Sequence, residues 1–165
     1  MNPVETAQEV RYAYYGDPPY ADAIDPVFIA RQLGLNVYSA ELENSLSGMI
    51  AKMRPDEEPD IFLNSNHAPV RQRFTCAHEL GHYFQVKDLP ENAPTYVHKR
   101  DSRSACGVYE EEVYANGFAA ELLMPASEVV RLRNIGSDVY HLAKRFQVSV
   151  DAMTNRLNAL RNVAV

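Results

Sequence analysis

The sequence predicts an α+β fold in which a small antiparallel sheet packs against helices on one side. Apolar residues recur at three- and four-residue steps in several segments, as they do in helices with one buried face. Short strand-like segments lie between residues 35 and 63, separated by turn-forming residues. Two further helical segments near the carboxyl end form a closely joined pair. These three observations together predict the fold class.

The composition predicts one compact domain. The chain has 165 residues, of which 46% are hydrophobic and 23% charged, and a chain of this size can bury a core without covalent staples. We therefore expect a single domain over residues 1–165. Within it we expect an N-terminal extension at 1–24, a long loop at 85–109 and a C-terminal helical pair at 137–162.

We expect the protein to be cytoplasmic. Cys76 and Cys106 are too few to form a disulfide framework. The segment Met1–Arg11 is polar and acidic, and it lacks the apolar region of a signal peptide. No stretch approaches the roughly 18 apolar residues of a membrane-spanning helix, so no membrane association is predicted.

Cap and turn residues indicate where the helices and strands before residue 64 begin and end. A short helix near Ala7–Tyr14 is predicted to end at the turn Gly16–Pro19. The next helix has Asp25 as its cap, Pro26 at its first position and Gly34 after its end. Strands are then predicted at Leu35–Ser39, Leu46–Met53 and Asp60–Leu63.

The most informative motif is the H-E-x-x-H box from His78 to His82. Residues four apart share one face of a helix, so both imidazoles can reach one metal ion. Glu79 follows the first histidine and can hold an activated water from the side. Two imidazoles with a neighbouring carboxylate are typical of a zinc peptidase, provided that a third ligand exists.

The box is predicted to lie on a helix. Pro69 suits the first turn, where its missing N–H has no intrahelical partner. An apolar stripe follows at helical spacing, formed by Phe74, Ala77, Leu80, Gly81 and Phe84. Gly81 costs roughly 1 kcal/mol against alanine in a helix interior. We expect it to be tolerated because another backbone, or the metal, passes close by.

A second helical motif runs from Glu110 to Pro125, with acidic residues in its first turn. Glu112 and Asn116 are four apart and share a face, whereas Glu121 lies about 180° away from Glu112. Glu112 fits the role of third metal ligand. The side-chain oxygen of Asn116 fits the role of acceptor for the outer N–H of a ligand histidine. The alternative is that the acidic residues only stabilise a solvated helix start.

These motifs together resemble the ImmA/IrrE family of zinc metallopeptidases. The similarity covers residues 25–160 and rests on the segments Arg73–Tyr83, Glu112–Pro125 and Leu142–Leu157. It implies a zincin-like, gluzincin-type metallopeptidase core of bacterial or phage origin. By motif position His78, His82 and Glu112 would bind one Zn²⁺, and Glu79 would be the catalytic base. Mn²⁺ or another divalent ion also suits these ligands.

The sequence departs from the family pattern at three positions, and none of them removes a ligand. Cys76 stands where the family often has an aliphatic residue, and Tyr114 and Gly117 vary within the second motif. Cys106 is an alternative third ligand, because a thiolate binds zinc well. In peptidases of this type an edge strand often binds the substrate backbone. We expect Asp60–Asn64, or the strand before it, to have that role.

The segment 85–109 separates the two motifs, so we expect it to border the active cleft. His98, Arg100 and Arg103 are candidates to stabilise the developing oxyanion, as fixed donors do in other hydrolases. The alternative for each is an exposed loop residue.

The C-terminal pair raises a rival interpretation as a helix-turn-helix. The predicted helices Val139–Phe146 and Val150–Leu160 are joined by a short turn, which is typical of that motif. The net charge of −6 argues against nucleic-acid binding, since such proteins usually carry a basic patch. The local basic residues are Lys144, Arg145, Arg156 and Arg161.

Three function classes follow from the sequence. The first is a zinc-dependent endopeptidase that cleaves a specific protein partner. The resemblance implies a helix-turn-helix repressor or an antitoxin encoded nearby as that partner. The second is a zinc-containing toxin or regulator of a toxin–antitoxin-type pair that acts mainly by binding. The third, a DNA-binding module, is disfavoured by charge.

Overall fold

The computed structural model describes residues 2–54, 56–87, 96–100 and 110–163, of which 96–100 and 162–163 are described by their backbone alone. The described helices are α1 Pro3–Tyr15, α2 Pro26–Gln32, α3 Pro69–Val86, α4 Glu110–Leu123, α5 Ala126–Asn134, α6 Val139–Phe146 and α7 Val150–Val163. The described strands are β1 Asn36–Ala40, β2 Gly48–Lys52, β3 Asp60–Asn64 and β4 Tyr96–Arg100.

The predicted α+β class is confirmed, although the sheet is mixed rather than wholly antiparallel. The strand order is β1-β3-β2-β4. β2 runs antiparallel to both β3 and β4, but β1 runs parallel to β3. The chain reverses once between β1 and β2 and again before β3, so the first and third strands point the same way. They then pair directly because β3 inserts between β1 and β2.

This strand order corrects the expectation for substrate binding. Asp60–Asn64 forms β3, which pairs with β1 on one side and β2 on the other. The strand before it, β2, pairs with β3 and β4. Neither strand has a free edge for another backbone. In the part of the sheet that the structure describes, the edges belong to β1 and β4.

Local capping explains where the first helices begin and end. The side chain of Asn2 accepts a hydrogen bond of 2.9 Å from the Val4 N–H, and the chain leaves α1 at Gly16 with φ of 71°. Asp25 caps α2 in the same way, through a bond of 2.9 Å from the Val27 N–H. Both helix positions were predicted, and α1 extends further than expected.

Helix α3 is the centre of the fold because it packs against both the sheet and α4. Helix α3 contacts β2 and β3, whose side chains Ile50 and Ile61 are fully buried, and Phe84 of α3 packs against Phe118 of α4. Gly81 allows the α4 backbone to approach, as the sequence predicted. Burying each large apolar side chain contributes about 1.5–3 kcal/mol. Large, fully buried members of this core include Phe118, Leu80, Leu122, Leu123 and Leu142.

The segment predicted as a loop at 85–109 is corrected in two places. α3 continues through Val86, and Tyr96–Arg100 forms β4 against β2. The remaining positions of that segment lie outside the described residues, Lys87 apart. The structure also has α5, at Ala126–Asn134, where no element was predicted.

The C-terminal helical pair is confirmed as α6 and α7. Asp138 caps α6 by accepting a hydrogen bond of 2.9 Å from the His141 N–H. The helix ends at Gln147, whose φ of 52° lies in the left-handed region. Within the described ranges, no helix has both the length and the apolar character that crossing a bilayer requires.

The predicted N-terminal extension packs onto the rest of the fold. Helix α1 contacts α4, and the hydroxyl of Tyr114 donates a hydrogen bond of 3.1 Å to Thr6. Buried Arg11 binds the main-chain oxygen of Glu121 at 2.7 Å and its carboxylate at 3.3 Å. The carboxylate of Glu121 also pairs with Arg156 of α7. One buried ionic cluster therefore joins the first, fourth and last helices.

Candidate metal centre

Two histidines from α3 form the base of the candidate site. His78 and His82 are one helical turn apart and both are buried. Their Nε2 atoms face each other at 3.0 Å. Because the helix interior fixes both backbones, the two imidazoles lie on one face of α3.

Helix α4 supplies a carboxylate to the same point. The Oε2 atom of Glu112 lies 3.2 Å from Nε2 of His78, and Oε1 lies 3.2 Å from Nε2 of His82. The donor atoms of all three residues lie within 4.8 Å of one another. The side chain of Glu112 is 13% exposed against 0% and 3% for the histidines, so it lies on the solvent side of the cluster.

The donor set fits a divalent metal ion. Ligands about 2.0–2.1 Å from a tetrahedral zinc ion stand roughly 3.3 Å apart, close to the 3.0–3.2 Å separations between these donors. Two imidazoles and one carboxylate also leave a fourth tetrahedral position for water or substrate. The same donors accept other divalent ions of similar size.

A side-chain amide lies behind each histidine. Nδ1 of His78 is 3.0 Å from Oδ1 of Asn116, the contact that the sequence predicted. Nδ1 of His82 is 3.2 Å from Oε1 of Gln85, a contact that the sequence analysis missed. The available signal was spacing, since Gln85 follows His82 by three residues on the same helix. Both amides leave the Nε2 atoms facing Glu112.

Glu79 is fully buried in α3, next to His78 in the chain. Its role as catalytic base stays a prediction. Glu111 and Glu110, by contrast, are exposed at the start of α4.

Of the two cysteines, the structure describes only Cys76. Cys76 is buried in the core, and burial, reinforced by the nearby Glu79 carboxylate, strongly raises the pKa of its thiol. It therefore packs as a small apolar side chain. Cys106, the alternative third ligand, lies outside the described residues.

The structure describes the backbone of two of the three candidates for oxyanion stabilisation. His98 and Arg100 lie on β4, in register with Ile50 and Gly48 of β2. Their side chains, and the whole of Arg103, lie outside the described residues. Their role stays a prediction.

The basic residues of the C-terminal pair are partly used inside the protein. Arg145 donates a hydrogen bond to the main-chain oxygen of Tyr20. Arg156 donates to the main-chain oxygen of Met124 at 2.9 Å and pairs with Glu121. Of the four basic residues, Lys144 and Arg161 are exposed.

Known proteins are similar to this chain in sequence and in fold. Residues 30–158 match the Peptidase_M78 family, described as the IrrE N-terminal-like domain. The "Uncharacterized immunity region protein 2" of Bacillus phage phi105 is 32% identical over 110 residues, which cover 67% of this chain and 65% of that protein. The chain thus spans slightly less than two thirds of this relative.

A structural comparison agrees at the level of the fold. A Mycobacterium tuberculosis transcriptional regulator superposes with a TM-score of 0.63 at 20% identity, covering 95% of this chain and 47% of that one. The family match includes α3 and α4, and therefore His78, His82 and Glu112. The chain belongs to the ImmA/IrrE family of metallopeptidase-like proteins.

Proposed function

We propose that this protein is a zinc-dependent endopeptidase that hydrolyses a peptide bond in a specific protein partner. The observation that carries the proposal is the convergence of His78, His82 and Glu112 at 3.0–3.2 Å, beside the buried carboxylate of Glu79. Membership of a metallopeptidase family supports the same reaction class.

Each residue has a distinct role in the proposed reaction. His78 and His82 bind the ion through Nε2, and Glu112 binds it through its carboxylate. Zn²⁺ held there would polarise the scissile carbonyl and lower the pKa of an attacking water. Glu79 accepts a proton from that water and passes it to the leaving amine. Asn116 holds the His78 ring in place by accepting its Nδ1–H.

The proposed substrate is a helix-turn-helix repressor or an antitoxin encoded near this protein. The phage relative supports this substrate class, since it is described as an immunity region protein. We further propose a cytoplasmic location and no direct contact with nucleic acid or membrane. The internal use of Arg145 and Arg156 supports the absence of DNA binding. Residues 1–165 are proposed to form a single metallopeptidase domain, since α1 is joined to α4.

Incubation of the zinc-loaded protein with the neighbouring repressor tests the proposal. We expect cleavage that a chelator abolishes. Glu79→Gln is expected to bind zinc with unchanged affinity and to lose turnover by at least about 100-fold, as general-base loss predicts. Cleavage by Glu79→Gln at the wild-type rate would remove the catalytic base from the proposal. A tight complex without cleavage, unchanged in the variant, would instead identify a binding-type toxin or regulator.

The third ligand is tested separately. Glu112→Gln should weaken zinc binding, because the charged donor is lost, whereas Cys106→Ser should leave it unchanged. The reverse result would assign the third position to Cys106. Zinc content after dialysis measures both variants, and occupancy with Mn²⁺ can be measured in the same way.

A further inference from the structure

The described residues include a positioning group for the metal site that the family motif does not contain. Gln85 lies in the last turn of α3, where the helix ends at Val86. Its Oε1 atom is 3.2 Å from Nδ1 of His82, and its side chain is partly buried. We propose that Gln85 fixes the orientation and tautomer of His82 and thereby tunes metal affinity. This inference rests on the proposed metal site.

The two groups in this contact determine which of them donates the hydrogen bond. An amide oxygen only accepts hydrogen bonds, so Nδ1 of His82 must carry the proton. The neutral ring then has its lone pair on Nε2, the atom that faces His78 and Glu112. Without an acceptor at Nδ1, the other tautomer and a flipped ring become accessible, and both present the wrong atom to the metal. Outer partners of this kind are typically worth 10–100-fold in metal affinity.

The two histidines are secured in different ways. Asn116, the partner of His78, belongs to α4, so the same helix supplies the third ligand and holds the first one. Gln85, the partner of His82, belongs to the same helix as the histidine itself. The contact between Gln85 and Nδ1 of His82 therefore requires α3 to stay helical through its last turn.

Metal affinity, measured by competition with a chromophoric chelator on the full-length protein, tests the role of Gln85. Gln85→Met keeps the length and removes the acceptor. We expect it to lower Zn²⁺ affinity by about 10–100-fold while the melting temperature of the metal-free protein stays close to wild type. Gln85→Glu keeps an acceptor of greater basicity, and we expect affinity equal to or above wild type.

Gln72 offers a matched control on the same helix. Its amide donates a 2.7 Å hydrogen bond to the main-chain oxygen of His67, away from the metal ligands. Gln72→Met should therefore change Zn²⁺ affinity by less than about two-fold, as expected for a side chain that touches no metal ligand.

Two outcomes would overturn the role of Gln85. The first is wild-type affinity in Gln85→Met. The second is a loss of Zn²⁺ affinity in both Gln85→Met and Gln85→Glu, together with a lower melting temperature of the metal-free proteins. That result would indicate general damage to α3. Both leave the metal site itself standing. Absence of Zn²⁺ binding by the wild-type protein would overturn the site and the role of Gln85 together, so the two failures are distinguishable.

Discussion

The Cα atom of Ala115 lies 2.7 Å from the position that a Cβ atom on Gly81 would occupy. The backbones of α3 and α4 therefore touch at Gly81, which lies directly before the ligand His82. Ala115 follows Glu112 by three residues, or almost one turn of α4. This contact sets how closely Glu112 approaches the two histidines.

Gly81→Ala is predicted to impair both folding and metal binding. The added methyl group meets backbone atoms that cannot rotate away, and such overpacking typically costs about 1–3 kcal/mol. Relief of the clash requires α4 to move outward, which withdraws Glu112. We expect a lower free energy of unfolding in urea and weaker Zn²⁺ binding by chelator competition.

Gly117→Ala is the matched control for this prediction. A Cβ atom at Gly117 meets only the Pro3 side chain, at 3.3 Å. The gain in helix propensity offsets that contact, so stability should stay within about 1 kcal/mol of wild type. A Gly81→Ala protein with the stability and Zn²⁺ affinity of wild type would contradict the argument.

Glu121→Gln is predicted to be strongly destabilising. The side chain of Glu121 is 2% exposed, and its carboxylate pairs with both Arg11 and Arg156. Removing its charge leaves two largely buried guanidinium groups uncompensated, which typically costs about 3–5 kcal/mol. Urea denaturation of the metal-free protein measures the loss.

The exposed pair of Arg54 and Glu57 provides a comparison for the buried cluster. These side chains are 69% and 54% exposed, so Glu57→Gln should cost about 0–1 kcal/mol. Equal effects from the two substitutions would show that burial of the Glu121 cluster has no energetic consequence.

Asn64→Ala is predicted to destabilise the turn between β1 and β2. The fully buried amide donates to the main-chain oxygen atoms of Leu46 at 2.8 Å and Glu43 at 3.1 Å, and it accepts from the Asn66 N–H at 3.0 Å. Each buried group left unsatisfied costs about 1–3 kcal/mol. The exposed Asn36→Ala should stay within about 0.5 kcal/mol in the same urea experiment.

Acid sensitivity is predicted at Glu128. Hydrogen bonds from the Arg131 guanidinium lower the pKa of the Glu128 carboxyl in the folded protein. The contribution to stability is therefore present above the unfolded pKa of about 4.3 and is lost as pH falls through the lower, folded value. The melting temperature of wild type should exceed that of Glu128→Gln at pH 7, with the difference shrinking below about pH 4.

Arg131→Ala provides the second half of this test. Without the guanidinium, Glu128 loses the main cause of its lowered pKa. The difference between Arg131→Ala and wild type should fade over the same acid range. A difference that stays constant from pH 7 to pH 3 would assign the effect to packing rather than to charge.

The parts of the site that the sequence predicted are residue pairs that lie on a single helix. The four-residue spacing from His78 to His82, and from Glu112 to Asn116, places each pair on a single face whatever the rest of the fold does. The cost of glycine inside a helix likewise indicated that another backbone or the metal passes close to Gly81, and the structure places the α4 backbone there. The family resemblance then implied that residues from both helices bind the same metal ion.

The features that were missed depend on how separate segments meet. Strand periodicity indicates which residues alternate, but it does not determine that β3 inserts between β1 and β2, and so the free edges were assigned to the wrong strands. Gln85 was overlooked because a polar residue near a helix end is usually solvated. Its role depends on the side-chain position of His82, which spacing alone does not determine.

The buried cluster around Glu121 has a consequence for where this protein can be shortened. The match to the Peptidase_M78 family begins at residue 30, whereas Arg11 reaches Glu121 from α1. A protein that started at residue 30 would retain His78, His82 and Glu112 but would lose one of the two cations around a buried anion. We therefore expect a protein that starts at residue 30 to be less stable than the full-length protein.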